Sequence, residues 1–130
     1  MSQTAPAPAA SQQNPLAWLY LTLAIAGAVL TWQANLAFMQ AHGAAFDLGL
    51  FVRLANANPA AQSLSRDLAV AATAFTVWMV AESRRLAMKG LPWVLLICVT
   101  IAFACGGPLF LYLRERRLME LARTAGGGLP

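Results

Sequence analysis

Charge is what this chain has least of. Asp, Glu, Lys and Arg make up 11% of its 130 residues, against 59% hydrophobic residues, where a soluble domain carries roughly a quarter charged. A mean hydropathy of +0.59 and so few charges exclude a dispersed, water-facing surface and point to a membrane. Two cysteines are too few for a disulfide framework and lack the spacing of a zinc site, so no metal site is expected. There is one histidine. No phosphate loop, nucleophile elbow or dinucleotide fingerprint occurs. The net charge of +4 comes from basic residues that flank apolar runs, the pattern that orients a membrane protein, so no nucleic-acid partner is expected.

Residues 1–14 hold Ala, Pro, Gln and Ser without charge and are expected to form a disordered tail. A cleaved signal peptide is the rival reading. The missing basic residues before the apolar run, and that run's length, argue for retention.

Three apolar stretches follow. Pro15 to Gln40 is about 39 Å long as a helix, enough to cross a ~30 Å hydrocarbon core, with Asn14 as N-cap and Pro15 at the first helical position. Trp18 and Trp32 fall near the two ends of this span. The second span is placed at 67–83, with Ser65 as N-cap and Asp67 in the first turn, where the helix dipole favours a carboxylate. The third is placed at 92–113. Within it Gly106, Gly107 and Pro108 interrupt the helix, because Pro108 cannot donate to the carbonyl of Ala104. The expected fold is an all-α three-helix membrane bundle over 15–117, followed by a C-terminal tail at 118–130. In the polar loop at 41–66, the apolar stretch from Phe46 to Leu54 is too short to span and suits an interfacial helix.

Three spans put the turn at 84–89 with the N-terminal tail, and the loop at 41–66 with the C-terminal tail. Arg84, Arg85 and Lys89 then face six basic residues on the other side. The positive-inside rule favours an outside N-terminus and an inside C-terminus.

Polar groups near membrane depth need partners or water. With three spans, Asn35, His42, Asp47, Asp67 and Arg114 collect at one membrane face. The bland explanation is that polar residues gather wherever helices leave the membrane. Glu82 lies about 22 Å along its helix from Asp67, so the two cannot form a paired-carboxylate site within one chain. An interfacial ion pair with Arg85, three residues on, is expected for it instead. Cys98 and Cys105 are about 10 Å apart along one helix, too far for a bridge. Ala24, Gly27 and Ala28, and Ala69, Ala72, Thr73 and Thr76, give small faces for close helix packing.

The ordered series Asn35-Leu36-x-Phe38, Gly43, Asp47, Phe51, Asp67-Leu68, Phe75, Glu82 with Arg84 and Arg85, Trp93, Pro108-x-Phe110-Leu111 and Arg114-Glu115-Arg116 resembles a family of small bacterial integral membrane proteins of unknown function. The resemblance spans roughly residues 16–117. It implies three spans and the bacterial cytoplasmic membrane, and no established activity comes with it. The neutral N-terminus departs from the family pattern, in which basic residues often precede the first span.

The leading functional reading is a non-enzymatic accessory or assembly subunit, or a homo-oligomer, whose partners are the lipid bilayer and other membrane subunits. No resident cofactor is expected, although the aromatic side chains suit contact with a pigment or quinone and His42 is the one candidate haem ligand. The alternative is an intramembrane enzyme acting on a lipid or isoprenoid through Asp47 or Asp67, oriented by Asn35 and Arg114. A third class, a small oligomeric transporter, has the Gly/Pro-broken helix in its favour but no charged residue in mid-membrane.

Overall fold

The computed structural model describes residues 14–43 and 45–126. Among these the fold is all-α, a bundle of five helices: α1 (Pro15–His42), α2 (Leu48–Leu54), α3 (Pro59–Arg85), α4 (Leu91–Thr100) and α5 (Phe103–Gly126). The expected disordered tail lies outside the described residues apart from Asn14. By length and composition, α1 and α3 are the two helices able to cross a membrane.

The same local signal starts both long helices. Asn14 accepts from the Leu16 amide at 3.1 Å and Asn58 from the Ala61 amide at 2.9 Å, and each is followed by a proline whose missing N–H costs nothing in the first turn. α3 therefore begins at Pro59, eight residues before the expected start, and Ser65 is not its cap. The Ser65 hydroxyl instead donates to the Ala55 carbonyl at 2.8 Å, tying α3 to the turn after α2. Asp67 sits in the third turn, beyond reach of the N-terminal dipole. The short helix α2 forms where the apolar stretch was noticed, with the Asp47 carboxylate accepting from the Leu50 amide at 2.9 Å.

The largest departure from expectation is at residues 92–113. The segment breaks at Ile101–Ala102, and its two halves fold back on each other as α4 and α5. Gly106 lies against Cys98, while Val94 and Phe110 share a buried core with Met79 of α3. Pairs whose numbers rise on one helix as they fall on the other define an antiparallel hairpin. α4 is only about 15 Å long at helical rise. The helix break was expected at Gly106, Gly107 and Pro108, yet α5 runs unbroken through all three. Their role is contact. A Cβ on Gly106 would overlap Cys98, and one on Gly27 would overlap the backbone carbonyl of Ala104, so α5 touches α4 through one glycine and α1 through another. The Ala104 carbonyl is the one that Pro108 leaves without its intrahelical donor, and it lies against Gly27 of α1.

Backbone groups at the apolar turn are largely paired. The Ile101 and Ala102 amides both donate to the Ile97 carbonyl, at 2.9 and 3.2 Å, and the Cys105 and Gly106 amides to the Ala102 carbonyl, at 3.1 and 3.0 Å. At the other end of α4, a tight turn leaves α3. Met88 N–H donates to Ser83 O at 2.9 Å and Ala87 N–H to Arg84 O at 3.3 Å, with Ala87 at φ 50°. This is a Schellman-type closure with alanine where glycine is usual. The Ser83 hydroxyl fastens it by donating to Met88 O at 3.1 Å.

α5 is the hub, packing against α1, α4 and α3. It continues as helix to Gly126, so most of the segment expected as a tail is regular structure.

Candidate functional site

The hairpin brings three helices together at one end of the bundle, where a chain of polar and charged groups joins them. Glu82, in the last turn of α3, is 7% exposed. Its Oε1 accepts from Arg85 and from Nε of Arg114 on α5, both at 2.8 Å. Arg114 Nη1 also donates to Glu115 at 3.1 Å, and the other oxygen of Glu115 accepts from the side-chain amide of Asn14 at 2.9 Å. The guanidinium of Arg114 stands 5.8 Å from the Trp78 ring centroid, within cation–π range. About one helical turn on, Arg117 Nε donates to the Leu86 carbonyl at 3.1 Å. Asn14, Glu115, Arg114, Glu82 and Arg85 thus clasp α1, α5 and α3. Every carboxylate oxygen named here faces a donor. The arrangement suits holding helices together.

Arg114 therefore does not join Asn35, His42, Asp47 and Asp67. The three-span expectation put the end of helix three at the opposite face from Glu82; the hairpin returns it to the Glu82 face. Asp67 lies fifteen residues from Glu82 on the same helix, about 22 Å away. The remaining members are scattered over the other end. Asp47 is spent on capping α2. His42 stacks on Phe38 with centroids 4.7 Å apart, and its Nδ1 lies 3.1 Å from the Phe38 carbonyl. Phe38 also meets Phe46 and Phe51 at 5.5 and 5.4 Å, which seats α2 on the end of α1. Asp67 is exposed and Asn35 half-buried. The Glu82–Arg85 pair is present at 2.8 Å.

Asn14, Trp78, Glu115 and Arg117 were not singled out from the sequence as site residues. Arg114-Glu115 next to an asparagine cap was visible as sequence, but only the fold-back makes those residues neighbours. Cys98 and Cys105 are unbridged. Among the described residues no group of three or more His, Cys, Asp or Glu is placed to hold a metal ion.

Comparison with curated proteins and with solved structures gives no match. Residues 19–116 match the family described as protein of unknown function DUF2834, and the chain belongs to that family.

Proposed function

We propose that the chain is an integral membrane protein with two spans, α1 and α3, and a re-entrant α4–α5 hairpin, and that it works as a non-enzymatic packing subunit, beside other membrane subunits or its own copies. The hairpin sorts the charges. Arg84, Arg85, Lys89, Arg114, Arg116, Arg117 and Arg123 stand at the Glu82 end and only Arg53 and Arg66 at the other. By the positive-inside rule the Glu82 end is cytoplasmic, and both the start of α1 and the end of α5 lie inside. This replaces the outside N-terminus expected from three spans. A green fluorescent protein fused after Pro130 should fluoresce and a phosphatase fused there should be inactive; an active phosphatase would reverse the orientation.

The observation that carries the subunit reading is the unpartnered half of α3. The hairpin fills the bundle only at the Glu82 end, and beyond its tip Leu64, Leu68 and Val70 are 61–72% exposed. Ala69, Ala72, Thr73 and Thr76 on the same helix allow another helix to come close, and both threonine hydroxyls are satisfied within α3, bonding to Ala69 O and Ala72 O at 2.7 Å. The enzymatic alternative through Asp47 or Asp67 loses its orienting arginine, since Arg114 is held by Glu82. A photo-crosslinking residue at Leu68 in native membranes tests the subunit reading. Adducts with a second copy or another membrane polypeptide are expected, and adducts with lipid alone would overturn it.

A further inference from the structure

We propose that the groove between the α3–α4 turn and α5 binds the phosphate-bearing headgroup of an acidic membrane phospholipid. It encloses about 480 Å³ and is lined by Met88, Lys89 and Gly90 from the turn and by Leu113, Arg116 and Arg117 from α5, within the size range of small-ligand sites. The clasp does not account for this charge. Arg117 is held in place by Leu86 O and by Glu120 at 3.3 Å. Glu120 also lines the groove and is engaged by Arg117, whereas Lys89 and Arg116 make no hydrogen bond or ion pair among the described residues, so two of the three lining cations carry no paired counter-charge. Gly90 caps α4 with no side-chain acceptor for the first-turn N–H groups, which adds partial positive charge at the same wall.

Part of the lining is apolar. Met88 and Leu113 pack against the Met79, Val94 and Phe110 core, so the groove passes from hydrocarbon to cationic over one helical turn. That gradient matches a lipid, whose phosphate meets the guanidinium while its chains continue along Leu113. A free anion has no use for the apolar part. The site rests on the membrane embedding proposed above and, with this end cytoplasmic, faces the leaflet where anionic lipid is concentrated.

The test uses the full chain in a neutral mild detergent, mixed with equal amounts of phosphatidylglycerol and phosphatidylcholine of the same acyl composition, with retained lipids counted by native mass spectrometry. Wild type should retain phosphatidylglycerol in about tenfold preference, and the double variant Lys89→Gln/Arg116→Gln should bring the ratio near one. The charge-preserving pair Lys89→Arg/Arg116→Lys, and Arg53→Gln/Arg66→Gln at the far end, should keep the preference, as should wild type in excess inorganic phosphate. Equal retention by wild type, or a preference untouched by the double neutralisation, overturns the proposal. Displacement of the lipid by inorganic phosphate also overturns it, assigning the groove to a free anion. Extraction from membranes without detergent would instead refute the embedding, so the two failures are distinguishable.

Discussion

The side-chain amide of Asn14 donates to Glu115 at 2.9 Å across 101 residues of chain. That bond sets the start of α1 level with the thirteenth residue of α5. Ala102, at the hairpin turn, then lies about 20 Å along α5 from that level, which in the proposed embedding stops short of crossing a ~30 Å hydrocarbon core. Non-helical backbone at such depth is tolerated only where protein covers it or its polar groups are paired. The shared acceptors Ile97 O and Ala102 O supply that pairing.

The contact between α1 and α5 depends on a missing side chain. A methyl group at Gly27 would meet the Ala104 carbonyl, and backbone cannot yield as a side-chain tip can. Gly27→Ala should destabilise the bundle by about 1–3 kcal/mol, read as a lower thermal midpoint in detergent. Gly126→Ala, where the added methyl meets nothing, is the control and should leave the midpoint within the scatter of wild type.

Within the clasp, burial ranks the variants. Glu82→Gln and Arg114→Ala each strand a partner whose counter-charge is largely out of water, and each should cost about 2–3 kcal/mol. Arg85, with a side chain 65% exposed, is screened by solvent, so Arg85→Ala should cost less than about 1 kcal/mol. Equal losses for Arg85→Ala and Arg114→Ala in the same unfolding assay would show that Arg114 is not the member joining α3 to α5.

Ala87 holds φ 50°, a left-handed conformation that costs a side-chain-bearing residue about 1 kcal/mol or more. Ala87→Gly should stabilise the α3–α4 turn by about 0.5–1 kcal/mol. A thermal midpoint that falls would mean that the turn is not closed in this way.

The parts of the fold legible in the sequence are those set by local chemistry. Asn14-Pro15 announces α1, and the apolar stretch beginning at Phe46 announces α2. Asn58-Pro59 carries the same signal as Asn14-Pro15, but the polar residues 60–66 resemble a loop and favour Ser65 as the cap; α3 begins outside the apolar window that marks its span. The hairpin was not legible locally. Its turn at Ile101–Ala102 contains no glycine, proline or polar residue, being made of apolar side chains, whereas Gly106-Gly107-Pro108 carries every sign of a break and serves instead for close packing within a helix. One global signal did exist. Three spans divide the basic residues three against six, while a fold-back divides them seven against two, and the positive-inside rule favours the steeper division. The site follows the topology: Glu82 and Arg114 both stand out in the sequence, and three spans would hold them at opposite faces.

In the proposed embedding, residues 91–113 enter and leave the membrane at one face. Single cysteines at Lys89 and at Thr124, in a Cys98→Ala/Cys105→Ala background, are to be labelled in sealed vesicles with a membrane-impermeant thiol reagent. The hairpin predicts that both positions react from the same side, whichever side that is. Reaction from opposite sides would contradict it and restore a third span.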